Sequence, residues 1–378
     1  MPHYIIKIQK IKHLGAATQI LTSAMLLISQ MFVLLYEMTI YAIDRDGDGR
    51  TNTTNYYDKG IAKMMDSVIN ADCFSAINEI NDDYVHMILS DIPYGISYEE
   101  WDVLHSNTNS ALLGSSPAQE KAGSVFKSRG KPLNGWSEAD KKISIEYYDW
   151  CASWAKDWLR VLKPGGSVFI FAGRRMAHRC ICALEDIGFT FKDMISWEKE
   201  TAPHRAQRLS VVYEKREDIV NAKKWEGWRL GNLRPVFEPI LWFVKPYRLG
   251  GTIADNVIQN EVGAFNDVAW NFYSSASSNM IRVKSDKSDH GLHPAQKPLI
   301  LLQALIRLST LENQIVLDPF CGSGSTLVAA KTLNRRFIGF EKSAEYFQIS
   351  IDRLNQTSKN ENGSTQSNKK SENQISLF

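Results

Sequence analysis

The sequence predicts an α/β fold in which a parallel sheet is covered by helices on both faces. Short apolar runs bounded by polar residues indicate buried strands, and they alternate with segments of helical periodicity. A glycine-rich turn at 319–324 joins one such run to a following helix. The chain of 378 residues is long enough to bury a full core around such a sheet.

The first half of the pattern begins with a buried strand from Tyr84 to Ser90. Aromatic and apolar residues then recur at helical spacing from Tyr147 to Leu162, which indicates core packing rather than a cofactor site. The sequence LKPGG at 162–166 ends this helix. The next predicted elements are a strand at 167–172, a helix at 175–187 ended by Gly188, and strands at 191–197 and 236–243.

The alternation of strands and helices fails in the middle of the chain. Polar, glycine-containing and aromatic segments occupy 199–235 and 245–292, which indicates an inserted region. The alternation resumes after Pro294. The predicted elements there are, in order, a helix at 298–310, a strand at 315–318, a helix that begins near 325, a strand at 336–341 and a helix that ends near 354. The polar tail that follows predicts disorder.

The N-terminal extension allows more than one interpretation. Residues 15–36 are uncharged and follow three lysines, as in a membrane anchor, but the polar residues within the run favour a helix packed on the domain. An upstream extension of a chain that begins at Met38 is an equal alternative. Residues 44–55 match the first half of a calcium loop, but Asn55 replaces its last Glu, so we predict a polar turn and no metal.

The overall composition places limits on the partners. A net charge of +2 means that any surface for nucleic acid is local rather than global. The five cysteines lack the spacing of a zinc site, which favours reduced thiols and a cytoplasmic location.

A carboxylate, a proline and an aromatic ring follow directly on the first buried strand, in the sequence SDIPYG at 90–95. Pro93 fixes its own φ and restricts Ile92 to extended geometry. Such an arrangement is either an ordinary exit from a strand or a site where Asp91 and Tyr94 face one flat polar ligand.

A second motif, IVLDPFCGSGST at 315–326, favours the ligand site. Its glycines, Gly322 and Gly324, let the backbone approach a ligand, and the helix that follows supplies free N–H groups. Glu341 ends the next strand, where an acid accepts hydrogen bonds from ribose hydroxyls. The glycine spacing is not that of a dinucleotide site and no phosphate-binding lysine follows the loop. The loop therefore predicts an adenosine without a triphosphate.

Four motifs together resemble those of amino-group DNA methyltransferases. DPFCGSGST resembles their S-adenosylmethionine loop, and DIPYG resembles their catalytic motif, usually Asp-Pro-Pro-Tyr. HPAQKPLILLQALI at 293–306 resembles the segment that leads into the loop, and NADCFSAI at 70–77 resembles a motif upstream of the catalytic strand. The catalytic motif precedes the cofactor loop, as in the permuted beta class. Ile92 and Ala295 depart from the family pattern, which has Pro and Thr there.

The resemblance covers residues 68–355 and implies a Rossmann-like, S-adenosylmethionine-dependent methyltransferase fold with a circularly permuted motif order and an inserted target-recognition region. Five segments follow from it. They are an N-terminal extension at 1–67, a catalytic half at 68–198, a target-recognition region at 199–292 that includes one core strand near 236–243, a cofactor-binding half at 293–355, and a disordered tail at 356–378.

The resemblance also implies the chemistry of the site. The amine of adenine or cytosine is a poor nucleophile because its lone pair is delocalised into the ring. The Asp91 carboxylate and the backbone carbonyl of Ile92 would accept its two hydrogens, Pro93 would aim that carbonyl, and Tyr94 would stack on the flipped base. The leading Asp favours adenine-N6 over cytosine-N4. The implied S-adenosylmethionine-binding residues are Asp318, Phe320, Gly322, Gly324, Thr326, Glu341, Lys297, Asp72 and Cys73. Two of these residues have an equal structural alternative. Lys297 would then be an exposed surface lysine, and Asp72 would cap a helix.

Duplex DNA is the predicted substrate. Basic residues with neighbouring aromatics favour a DNA-binding surface, although nearby acids make a solvated face an alternative; the candidates are Lys199, Arg205, Arg208, Lys127 and Arg129. The rival functions are a cytosine-N4 methyltransferase, a DNA-binding protein that has lost catalysis, and an RNA methyltransferase.

The last five residues, QISLF, resemble peptides that dock on the bacterial sliding clamp, through Gln374, Leu377 and Phe378. A cognate restriction endonuclease and a second copy of the chain, as a homodimer, are the other candidate partners.

Overall fold

A mixed sheet of eight strands is the central feature of the computed structural model, which describes residues 64–94, 138–199, 202, 206–283 and 296–364. The strands in these ranges are β1 (Ser67–Asn70), β2 (Val85–Asp91), β3 (Leu162–Phe171), β4 (Thr190–Glu198), β5 (Gln207–Arg208), β6 (Arg229–Leu230), β7 (Phe237–Val244), β8 (Met280–Arg282), β9 (Ile315–Asp318) and β10 (Arg336–Glu341). All except β5 and β6, which pair with each other, belong to the main sheet.

The helices in the described residues vary in length from one turn to six. They are α1 (Cys73–Ala76), α2 (Glu138–Val161), α3 (Ala177–Ile187), α4 (Leu209–Glu214), α5 (Ile219–Lys224), α6 (Ile253–Asn260), α7 (Asp267–Trp270), α8 (Leu299–Ser309), α9 (Ser325–Thr332) and α10 (Ala344–Ser364). Among these helices, none combines the length and apolarity needed to cross a membrane. The predictions for 15–36 and 44–55 concern residues outside the described ranges.

The strand order of the main sheet is β1-β10-β9-β2-β3-β7-β4-β8. The main sheet is parallel, as predicted, except at β7, which runs antiparallel to both β3 and β4. The reason is that the chain leaves the sheet after β4 and returns at the same end, where the amide of Lys199 donates to the carbonyl of Val236 at 2.7 Å. A connection that closes in this way reverses the strand direction, as in a hairpin.

The two faces of the sheet bury separate apolar clusters, as predicted for a sheet covered on both sides. Side chains of β3 alternate between them: Val168 and Ile170 pack on one face, and Phe169 and Phe171 on the other. Helices α2 and α3 cover the first face, and α8 and α9 cover the second. The aromatic stripe of α2 supplies the largest side chains of the first cluster, Trp154, Trp158 and Tyr147, and each is at most 2% exposed.

The structure also corrects several boundaries. Strand β1, which pairs in parallel with β10, was not predicted, and it begins at Ser67 inside the predicted extension 1–67. The inserted region contributes a second strand to the sheet, β8, beside the one predicted near 236–243. Helix α10 continues to Ser364, although disorder was predicted from 356. No Pro or Gly interrupts its sequence before Gly363, so a helix already nucleated on the domain propagates through polar residues.

Candidate active site

The two predicted motifs meet at one edge of the sheet because β2 and β9 are parallel neighbours. The hydroxyl of Ser90, near the end of β2, donates to Asp318 Oδ1 at the end of β9 over 2.7 Å. Between the two strand ends lies a cavity of about 540 Å³. The predicted site residues that line it are Asp72, Cys73, Asp91, Pro93, Lys297, Asp318, Phe320, Gly322, Thr326 and Glu341.

The glycine loop is shaped by Asp318 and by two residues of positive φ. Gly322 has φ 49° and Gly324 has φ 76°, and α9 begins at the next residue. Asp318 Oδ1 also accepts a hydrogen bond from the amide of Phe320 at 3.2 Å, which ties the loop back to β9. Burial raises the pKa of Asp318 to about 7, although hydrogen bonds from Ser90 and Thr326 oppose this shift. The loop is therefore held by contacts within the chain itself.

Glu341 closes the other side of the cavity. Its Oε2 accepts from the amide of Gly322 at 2.8 Å and its Oε1 from the amide of Ser343 at 2.7 Å. Burial raises the pKa of Glu341, against the effect of these amides. Each carboxylate oxygen can accept more than one hydrogen bond. Glu341 therefore keeps acceptor capacity for ligand hydroxyls while it holds the loop.

Asp72 is the helix cap considered for it, and it also lines the cavity. Its carboxylate caps α1 by accepting from the amide of Phe74 at 3.1 Å and also pairs with Lys342 at 2.9 Å, while the residue lines the cavity. The neighbouring thiol of Cys73 is buried, and this burial, with the negative charge of Asp72, raises its pKa to about 12. A neutral thiol of this kind packs against a ligand and does not act as a nucleophile.

Two aromatic rings, tilted by 39° to each other, line one wall of the cavity. Phe320 belongs to the glycine loop, and its ring centroid lies 5.8 Å from that of Trp150 on α2. Trp150 was predicted to be core, and this was wrong in part, because the residue is half-buried and lines the cavity. The glycine cradle, the acceptors of Glu341 and this apolar wall fit an adenosine-containing cofactor such as S-adenosylmethionine.

We expect Gly324→Ala to weaken binding of S-adenosylmethionine at least tenfold, or about 1.4 kcal/mol. An added Cβ would lie 2.8 Å from the Cβ of Ser350, in a conformation that side chains disfavour by about 1 kcal/mol. Gly250→Ala is the matched control, because Gly250 has φ 79° with no atom within 4 Å of an added Cβ. Isothermal titration of both variants checks the prediction, and equal affinities would contradict it.

The catalytic motif is part of a buried network of charges. Asp91 Oδ2 contacts the Lys297 ammonium at 2.5 Å, and Asp91 Oδ1 lies 3.0 Å from the Tyr94 hydroxyl. That hydroxyl also lies 2.5 Å from Glu238 Oε1, and Lys199 contacts Glu238 Oε2 at 2.5 Å. Lys297 is 3.4 Å from Glu238 as well. Two carboxylates and two ammonium groups therefore balance each other around the phenol.

The two carboxylates of this network differ in their pKa. Burial raises the pKa of Asp91 to about 6, and Lys297 only partly offsets this. Burial also acts to raise the pKa of Glu238, but Lys297 and Lys199 outweigh it and lower that pKa to about 2. Asp91 is thus the carboxylate that can exchange a proton near neutral pH, while Glu238 stays ionised.

The middle of the catalytic motif is held by packing. The Ile92 side chain is buried in the same apolar cluster as α2 and α3, so the departure from Pro places an aliphatic group in the core. The carbonyl of Pro93 accepts from the Tyr147 hydroxyl of α2 at 3.2 Å.

The sequence did not point to Glu238, and it assigned two lysines differently. Glu238 is an isolated acid inside the buried run VFEPILWF, which was a usable signal. Lys297 was assigned to cofactor binding or to the exposed surface, but it is buried beside Asp91. Lys199 was assigned to DNA, but its ammonium pairs with Glu238. Arg208 lies exposed on β5, whereas Arg205, Lys127 and Arg129 are outside the described residues.

Comparison with known proteins decides the family. A family model with the description DNA methylase, covering N6 and N4 enzymes, matches residues 85–352. The chain belongs to this family. It is 58% identical over 296 residues to the type II methyltransferase M.HindIII of Haemophilus influenzae, a match that covers 77% of the chain and 96% of the relative. It is 29% identical to M2.LlaDCHI of Lactococcus lactis, over 80% of the chain and 93% of that protein.

Solved structures of methyltransferases are also similar. The M1.HpyAVI complex with S-adenosylmethionine aligns at 23% identity and a TM-score of 0.43, covering 76% of this chain and 98% of that one. The cytosine-N4-specific PvuII methyltransferase aligns at 17% identity and a TM-score of 0.48, covering 78% and 91%.

Family membership confirms the predicted class. The chain is an S-adenosylmethionine-dependent, site-specific DNA methyltransferase of the amino-group type, with the Rossmann-like fold expected of it. Its substrate is DNA. The catalytic strand precedes the cofactor loop in the chain, and β9 and β10 insert between β1 and β2 in the sheet.

Proposed function

We propose that this methyltransferase modifies the N6 amine of adenine in duplex DNA. The observation that carries the proposal is that Asp91 and the glycine loop line one cavity, so a base amine bound at Asp91 lies next to the cofactor pocket. The leading Asp of the catalytic motif supports adenine over cytosine. A target base must leave the DNA stack to reach this cavity, so base flipping is part of the proposal.

The residues of the catalytic motif have separate roles in this proposal. The Asp91 carboxylate and the Ile92 carbonyl accept the two amine hydrogens, which draws the nitrogen lone pair out of conjugation with the ring. Tyr94 offers a face on which the flipped base stacks. Asp91 then takes the proton that the amine loses on methylation, for which a pKa near 6 is suited. Catalysis otherwise consists of positioning and electrostatic stabilisation.

The cofactor would be held by the residues around the glycine loop. Glu341 would accept from ribose hydroxyls and Phe320 would pack on the adenine, and Asp72 and Cys73 line the same pocket. Asp318, Gly322, Gly324 and Thr326 give the loop its shape. When bound, S-adenosylmethionine supplies a methyl group on a positively charged sulfur, which is already a strong electrophile.

The test is transfer of a labelled methyl group to mixed-sequence duplex DNA, followed by nucleoside analysis. M.HindIII serves as a parallel reference. Label in N6-methyladenine supports the proposal, and label in N4-methylcytosine would replace adenine by cytosine as the target. Absence of label from protein that still binds the cofactor would contradict the proposal and favour RNA or a non-catalytic role.

We further propose that the small lobe at 206–234 binds the DNA backbone. Its strands β5 and β6 carry exposed arginines, and Trp228 is 63% exposed beside them. Phosphate contacts by basic side chains, with aromatic contacts to bases or sugars, are typical of such surfaces.

Arg208→Ala tests this lobe. We expect weaker DNA binding at every sequence, and a salt dependence whose logarithmic slope falls by about one, because one phosphate contact is lost. Anisotropy measurements between about 50 and 200 mM salt give the slope. Lys156→Ala, on the exposed side of α2, is the matched control. An unchanged slope for Arg208→Ala would remove this residue from the interface.

The remaining partner proposals rest on the sequence and on the DNA substrate. The C-terminal QISLF would dock Gln374, Leu377 and Phe378 on the sliding clamp, and deletion of 374–378 should abolish clamp binding but leave methylation of short duplexes intact. Clamp binding by the truncated chain would contradict this.

We also propose a cognate restriction endonuclease as a partner, a homodimer as the oligomeric state, and the cytoplasm as the location.

A further inference from the structure

Glu238 is an unusual residue for the place that it occupies. It lies near the start of β7, followed by a run of buried apolar residues, and is only 8% exposed. A buried carboxylate is costly unless it is paired and hydrogen-bonded. Three groups satisfy this one: the ammonium groups of Lys199 and Lys297, and the hydroxyl of Tyr94. Two of these three, Lys297 and Tyr94, also contact Asp91.

Counting hydrogens shows a competition between the two carboxylates. The Tyr94 hydroxyl carries one hydrogen, yet it lies 2.5 Å from Glu238 and 3.0 Å from Asp91. It can donate to only one of them at a time. A base amine needs Asp91 as its acceptor, and Asp91 has more acceptor capacity left for the amine when the hydroxyl donates to Glu238. The shorter distance to Glu238 favours this arrangement.

We propose that Glu238 is a positioning residue that holds the Tyr94 hydroxyl and shares the Lys297 ammonium, so that Asp91 is free to accept from the target amine. The inference rests on the proposed function of Asp91. Without the charge of Glu238, the Tyr94 hydroxyl would turn to Asp91 and occupy acceptor capacity that the target amine needs, and Lys297, already 2.5 Å from Asp91, would no longer be shared. Glu238 itself does not touch the base in this arrangement.

The charges around Asp91 set the sign of the expected effect. The groups that face it are Lys297 ahead of α8, Glu238 on β7, Tyr94 in its own motif and Asp318 at the end of β9, with Lys199 behind Glu238. The negative charge of Glu238 raises the pKa of Asp91, and Lys297 lowers it. Removal of the Glu238 charge therefore makes Asp91 more acidic.

The test compares Glu238→Gln with the wild type and with Glu238→Asp. We expect Glu238→Gln to lower kcat by about 10²-fold, as for loss of one preorganised group, with the affinity for S-adenosylmethionine unchanged. The acid limb of its kcat–pH profile should move to lower pH. Glu238→Asp, which keeps the charge, should restore the acid limb toward that of the wild type.

Glu198→Gln is the matched control, because Glu198 on β4 pairs with Arg282 on the neighbouring strand β8 and lies outside the network.

A second readout does not depend on the reaction. Carbon-13 NMR of the Asp91 carboxyl in the free protein, assigned with Asp91→Asn, should titrate at lower pH in Glu238→Gln than in the wild type. Unchanged kcat, or a lower kcat in a folded variant whose acid limb and Asp91 titration have not moved, would overturn the inference. If the NMR shift occurs but the wild type does not methylate adenine, the proposed target base is wrong and the Glu238–Asp91 contact stands.

Discussion

Asp91→Asn is expected to lower kcat for methyl transfer by at least about 10³-fold, within the range for loss of a catalytic acid–base group. An amide nitrogen in place of one carboxylate oxygen cannot accept a hydrogen from the base amine, and the side chain can no longer take up the amine proton. Lys297 keeps Glu238 as a partner at 3.4 Å, so the variant retains a counter-ion for its buried ammonium. We therefore expect it to fold.

The measurement is a single-turnover methyl-transfer assay beside a titration of S-adenosylmethionine binding. Affinity for the cofactor should stay within about threefold of the wild type, since the glycine loop and Glu341 are untouched. Asp82→Asn is the matched control, because Asp82 precedes the other end of β2 and is exposed beside Arg160. Substantial activity in Asp91→Asn would exclude the carboxylate as the acceptor.

The wild-type enzyme should also lose activity as the pH falls through about 6, where Asp91 becomes protonated. A protonated carboxyl cannot take up the amine proton. The acid limb of the profile should be absent in Asp91→Asn, whose residual activity no longer depends on this group.

Local sequence signals predicted the cofactor side of the site well. The strands at 315–318 and 336–341 appear with the predicted bounds, because each is a short apolar run limited by turn residues and ends on its acid. Most of the hydrogen bonds that hold Asp318 and Glu341 come from nearby in the sequence: the amide of Phe320 donates to Asp318, and the amides of Gly322 and Ser343 donate to Glu341. The motif carries the information needed to place these contacts, whereas the hydrogen bond from Ser90 to Asp318 spans 228 positions.

The catalytic network could not be predicted in the same way because its members come from distant parts of the chain. Glu238 meets Tyr94 across 144 positions, and Lys297 meets Asp91 across 206. Their contact depends on β7 lying next to β3 and reversing its direction, which the alternation of strands and helices did not indicate. A single acid in a buried run signals that a partner exists but does not identify it.

A second prediction of large effect concerns Lys297, because its ammonium pairs with Asp91. Lys297→Gln leaves Asp91 and Glu238 in one buried site without the cation between them. The pKa of Asp91, already near 6, should then rise, because Lys297 lowers it in the wild type. We expect kcat at pH 7 to fall by about 10²-fold. Activity should recover as the pH is raised through the new pKa, so the acid limb moves to higher pH, opposite in direction to Glu238→Gln.

Stability should change with pH in the opposite sense to activity in this variant. A carboxyl whose folded-state pKa lies above its unfolded value of about 3.9 binds more protons in the folded state, so stability falls as pH rises from there to the folded pKa. The Tm of Lys297→Gln relative to the wild type should therefore be lower at pH 8 than at pH 5.

Lys245→Gln is the matched control, since it removes a half-buried ion pair with Asp83 at the far end of the sheet. If Lys297 instead held the carboxylate of S-adenosylmethionine, the variant would lose cofactor affinity with no shift in the acid limb, and that result would contradict its assignment to Asp91.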